Sequence, residues 1–108
     1  MSLELSEPIA AFFKAYREVD LPAIARLFEE NAVVRVEDRD YGGIAVIRDW
    51  VEETTRRYHP KIEPKSTTDA SRRTIVSSLV SGDFPGSPAT LDYVFTLSGK
   101  KISRLEIG

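Results

Sequence analysis

At 108 residues, with 42% apolar and 30% charged residues, the chain has room for one hydrophobic core and the balance of a globular sequence rather than a disordered one. A net charge of −2 with acids and bases interspersed leaves no basic stripe to drive nucleic-acid binding. The absence of cysteine excludes disulfides, thiol catalysis and thiolate metal sites and fits a reducing cytoplasm, and no apolar run approaches the roughly 18 residues that a membrane span needs.

The opening Met-Ser-Leu-Glu-Leu-Ser-Glu-Pro carries two acids and no apolar run, so it does not read as a secretory signal. A first helix is expected from about Glu7, capped by Ser6 or Glu7, with Pro8 in the first turn where its missing N–H costs little. Ile9, Phe12, Phe13 and Tyr16 then share one helical face. Asp20 caps a second helix, again with proline in the opening turn, burying Ile24, Leu27 and Phe28 and stopping near Asn31. Val33 to Glu37 reads as a strand, with Val34 and Val36 on one face. Asp40-Tyr41-Gly42-Gly43 breaks the chain, and a third helix follows to about Tyr58, with Asp40 as its cap and Ile44, Ile47, Trp50, Val51, Thr54 and Tyr58 in helical period.

Pro60 and Pro64 start a different regime. Thr74 to Val80 is rich in strand-forming residues. Leu91, Tyr93, Phe95 and Leu97 alternate with Asp92, Val94 and Thr96, Ser98-Gly99-Lys100 supplies a turn, and Ile102 to Ile107 returns as the last strand. Helices followed by strands give the α+β class, with three N-terminal helices on one face of a curved antiparallel sheet. Residues 1–108 are read as a single domain. The strand at 74–80 is semi-apolar on both faces, with Ile75 and Leu79 on the outer one, which makes that face a candidate homodimer surface.

Several stretches carry a family likeness: Phe12-Phe13 with Tyr16, Val19-Asp20-Leu21, Ile24 to Phe28, Asn31-Ala32-Val33, Tyr41 to Ile44, Ile47 to Trp50 and Leu97 to Ile102. Through them the chain resembles the nuclear transport factor two-like superfamily and its small SnoaL-like members. That resemblance implies a cone of sheet closed by three helices around an internal pocket. It also implies chemistry of the ketosteroid isomerase, polyketide cyclase, dehydratase or epoxide hydrolase type, or none, because the fold does not choose among them.

The choice falls to polar groups in the cone. If Val34 and Val36 face the core, strand alternation carries Asp38 inward, where desolvation would raise its pKa and make it a general base. Glu37-Asp38 resembles the isomerases' Glu-Asp pair. The resemblance places Phe12 where those enzymes hold an oxyanion-binding tyrosine, and counting back from Phe95 turns Tyr93 inward and Asp92 outward. The plainer reading of Asp38 is a turn residue in the loop Glu37-Asp38-Arg39-Asp40, solvated or paired with Arg39. His59, the one histidine, suits a helix C-terminus. The carboxylates lack metal-ligand spacing, Gly42-Gly43 is no phosphate loop, and no cofactor is implied.

Phe12, Tyr16, Phe28, Trp50, Tyr58, Tyr93 and Phe95 are the candidate pocket lining, with Trp50, Tyr16 and Tyr93 offering polar handles. The loop 81–88 is longer than a hairpin needs, with Phe84 as its anchor. The expected function is a hydrophobic small-molecule pocket, with proton transfer by Asp38 in an isomerase, cyclase or dehydratase type of reaction. The alternative is a non-catalytic ligand-binding or dimerisation module.

Overall fold

The computed structural model describes residues 4–108. Helix α1 spans Glu7–Glu18, with Ser6 as N-cap and Pro8 in its first turn, and buries Ile9, Phe12, Phe13, Ala15 and Tyr16, the face that the i, i+3, i+4, i+7 spacing predicts. Helix α2 spans Leu21–Leu27, and the Asp20 carboxylate accepts the N–H of Ala23, satisfying one donor that the helix start would leave open. Helix α3 spans Ile44–Tyr58 and buries Ile47, Trp50 and Val51.

Six strands form one sheet: β1 Phe28–Val36, β2 Arg39–Gly42, β3 Lys61–Ala70, β4 Arg73–Ser81, β5 Ala89–Ser98 and β6 Lys101–Ile107. Their order is β2-β1-β6-β5-β4-β3. The expectation of a purely antiparallel sheet is corrected: β6 lies between β1 and β5 and runs parallel to β1, so the sheet is mixed. Register shifts between Pro64 and Ser66, between Thr96 and Leu97, and between Phe28 and Val33 place extra residues on one strand, and such bulges bend a sheet. Pro64 sits at one of them on the edge strand β3, where a missing N–H is tolerated.

Two boundaries differ from the sequence reading. Phe28 opens β1 instead of closing α2: an apolar residue one turn past Ile24 satisfies a helical period and a strand start equally well. Asp40 lies in β2 opposite Arg35, which donates to it at 2.9 Å. The N-cap of α3 is instead Gly43, at φ +90, a conformation that glycine adopts without a Cβ penalty.

The core joins the buried faces of α1 and α3 to the inner sheet residues Val34, Val76, Val80, Tyr93, Phe95, Ile102 and Leu105. Phe12 sits at its centre, with ring centroids 5.4 Å from Phe13 and Phe95 and 6.0 Å from Phe28 in edge-on geometry. Phe12, Phe28 and Phe95 have no exposed surface. On the outer sheet face Ile75 and Leu79 are half-buried. No helix of the described residues is long and apolar enough to cross a membrane.

Candidate functional site

Where the packed aromatics stop, an open cleft of about 1220 Å³ remains between α1, α3 and the sheet. Its interior walls are Tyr16 from α1, Trp50 and Thr54 from α3, Tyr93 from β5 and the aliphatic side chains of Val36, Val80 and Ile107. Tyr16, Trp50 and Tyr93 are each less than a tenth exposed, so each presents little of its surface to the cleft. Glu37, Asp49, Glu52, Glu53, Arg39 and Arg57 ring the mouth and are all exposed.

The hydroxyl of Tyr16 lies 2.5 Å from Thr54 Oγ1, which is itself 2.9 Å from the Trp50 carbonyl and 3.2 Å from that of Val51. Those carbonyls only accept, and the threonine hydroxyl is placed to donate to either of them. With that donation made, Tyr16 is the donor in the short contact, and the order runs Tyr16 to Thr54 to a carbonyl of α3. Burial raises the pKa of Tyr16, partly offset by the Thr54 contact. Tyr93 is raised further, chiefly by burial and then by proximity to Tyr16. Both remain neutral hydrogen-bonding groups at physiological pH. Among the described residues no side-chain hydrogen bond contributes to the Tyr93 shift, and Tyr93 lines the cleft.

One wall of the mouth comes from the loop after β4. Phe84 packs edge-on against Tyr58 with centroids 6.2 Å apart, and the N–H of Asp83 donates to the Tyr58 carbonyl at 2.7 Å. The Asp83 carboxylate meets His59 Nδ1 at 3.1 Å, so the one histidine ties the loop to the end of α3. Arg57 lies over the Tyr58 ring at 5.4 Å. Among the described residues, no group of three or more His, Cys, Asp or Glu is placed to hold a metal ion.

No protein-family model matches this chain, and no curated protein does. Solved structures match closely. A candidate polyketide cyclase from Sinorhizobium meliloti is 34% identical over 96% of this chain and 95% of its own, with a TM-score of 0.93. A nuclear transport factor two-like protein of unknown function from Cytophaga hutchinsonii, 12% identical, covers 100% of this chain and 91% of its own at a TM-score of 0.80. The chain belongs to the nuclear transport factor two-like superfamily. The epoxide hydrolase/cyclase-like enzyme SalBIII, which acts in pyran ring formation in the polyether salinomycin, shares that fold at 22% identity and a TM-score of 0.79, over 93% of this chain and 85% of its own.

Within this nuclear transport factor two-like fold, Asp38 does not point into the cleft. Strand β1 ends at Val36, and Glu37 and Asp38 take φ of +49 and +66 between the paired residues Val36 and Arg39. Two residues at positive φ between paired strands make the tight hairpin turn that suits strand twist, and a reversing chain ends the alternation on which the inward placement rested. The Asp38 side chain is 98% exposed, 3.5 Å from Arg35. Its neighbours Glu37 and Arg39 reach the cleft mouth and Asp38 does not.

Of the aromatic candidates, Tyr16, Trp50, Tyr58 and Tyr93 line the cleft. Phe12, Phe28 and Phe95 are corrected to core, because full burial among one another leaves no face for a ligand. Asp92 is exposed on the face opposite Tyr93, as strand alternation predicts. Sequence reasoning missed Tyr41, whose ring lies 6.0 Å from Trp50, because Tyr41 fell in a stretch read as a break. It also missed Thr54 as a polar partner, although its place four residues after Trp50 was a usable signal.

Proposed function

We propose that this chain takes a hydrophobic small molecule in the cleft, with the aromatic tips as walls and a tyrosine hydroxyl as polar anchor. The open, aromatic-walled cleft of about 1220 Å³ carries the reading, since ligand sites are concave, mostly apolar and furnished with a few polar groups. Trp50, the one tryptophan, lies in the wall, so its fluorescence reports occupancy. Titration with apolar carbonyl compounds is expected to change Trp50 emission saturably and raise the melting temperature. If neither changes across a panel, the reading is wrong.

A second reading is proton-transfer chemistry of the cyclase type on that ligand. It is favoured by the 34% identity to a candidate polyketide cyclase. In it, Tyr93 would donate to the substrate oxygen as charge develops there, and a carboxylate at the mouth, rather than the outward Asp38, would accept the proton. Turnover that survives Tyr93→Phe unchanged would exclude that role. The half-buried outer sheet residues Ile75 and Leu79 are proposed as part of a homodimer surface, which sedimentation equilibrium tests.

A further inference from the structure

The proton order at Tyr16 goes beyond naming a pocket, because it restricts which polar group the pocket receives. Thr54 spends its only proton on a backbone carbonyl of α3, so Tyr16 spends its own on Thr54. What the Tyr16 oxygen then retains is its remaining acceptor capacity. Tyr93, whose shift carries no side-chain hydrogen bond among the described residues, is a donor. The two residues line the same cleft, and each is more than nine-tenths buried, so a ligand group left unmatched to either one forfeits a hydrogen bond in a partly dry site.

We propose that the cleft selects ligands bearing a hydroxyl group, phenolic or enolic, that accepts from Tyr93 and donates to Tyr16, with Thr54 as the positioning residue that holds Tyr16 in its acceptor role. A ketone or ether satisfies Tyr93 alone. A hydroxyl satisfies both. The inference rests on the cleft being a ligand site at all, and the test separates the two.

The probes are naphthol and its methyl ether, which differ by the donor proton and are measured by calorimetric titration. Naphthol is expected to bind about tenfold tighter, the scale of one buried hydrogen bond, even though the ether is the more apolar of the two. In Tyr16→Phe the preference falls to within about twofold. In Thr54→Val, which preserves side-chain shape, the Tyr16 proton is released toward the cleft. The ether then gains and the preference shrinks or inverts, while Thr54→Ser retains it. A merely structural role for Thr54 would weaken both probes together. Equal binding of the two probes by the wild-type chain overturns the inference and leaves the pocket standing. A naphthol preference that persists in Tyr16→Phe or in Thr54→Val also overturns it. If neither probe binds, both the inference and the ligand-site reading fall. Melting curves identify a variant that fails to fold, and Thr54→Val then decides without Tyr16→Phe.

Discussion

Gly82 is the position where the smallest possible change should reach the cleft wall. A Cβ built there meets the Tyr58 carbonyl oxygen at 2.6 Å, the Pro60 Cα at 3.1 Å and the His59 carbonyl oxygen at 3.3 Å. All three are backbone atoms at the end of α3, so no side chain can swing aside. The same Tyr58 oxygen accepts the Asp83 N–H at 2.7 Å, and relieving the clash lengthens that bond. Overpacking typically costs about 1–3 kcal/mol, and a lost backbone hydrogen bond adds about 1 kcal/mol. Gly82→Ala is therefore expected to destabilise by roughly 2–4 kcal/mol. In a chain of this size that lowers the melting temperature by about 10–20 °C. Thermal and urea unfolding followed by Trp50 fluorescence measure it, with Gly42→Ala as the control, since a Cβ at Gly42 meets nothing within 4 Å. A loss for Gly82→Ala no larger than the control's would refute the claim that this close approach holds the loop.

Ser78 has no exposed surface, and its hydroxyl has no partner among the described residues. Removing an orphaned polar group recovers part of its desolvation penalty, so Ser78→Ala is expected to stabilise by about 1 kcal/mol in urea unfolding, and a comparable loss would show that the hydroxyl is satisfied in solution. Asp38→Asn should change stability by less than about 0.5 kcal/mol and leave ligand affinity intact, because the side chain is exposed at a turn whose positive φ asparagine tolerates; a tenfold affinity loss would return Asp38 to the site. Two of the four tyrosines, Tyr16 and Tyr93, have raised pKa values in the folded chain. A raised folded pKa contributes stability that is complete below the unfolded tyrosine value of 10.0 and is lost as pH rises through the folded values. Tyrosinate absorbance should show Tyr16 and Tyr93 ionising above that value, with the melting temperature falling above that pH, and Tyr16→Phe and Tyr93→Phe variants that leave the late absorbance unchanged would contradict the burial.

How much was legible in the sequence differs by element. Helix α1 and strand β5 were readable because each sets one periodicity against a polar opposite face, so Ile9 to Tyr16 and Tyr93 to Phe95 follow their patterns. The β1 boundaries were not, because Phe28 fits two periods and the turn at Glu37-Asp38 lacks the Asn-Gly signature of a tight hairpin. That one missed turn put Asp38 on the wrong side of the chain. The parallel pairing of β1 with β6 depends on contacts between distant segments, which no local pattern encodes. Of the aromatics picked out, those with a polar tip line the cleft and the phenylalanines lie in the core. Periodicity finds an inward face but does not say how deep in it a residue lies.

The interior position of β6 has a consequence for how such a chain comes into being. As it leaves the ribosome, β3, β4 and β5 can pair with one another as they emerge. The β1–β2 hairpin has no neighbour in the sheet other than β6. Its apolar residues, Phe28 and Val34 among them, therefore wait for the final strand, held only by the helices. Closing that contact joins Phe28 to Ile102 and Val36 to Ile107, a slow step for chains dominated by non-local pairing. The nascent protein thus passes through a period when an unpaired strand edge is open to the wrong neighbour, and its exposure to chaperones and to aggregation is set by the last seven-residue strand.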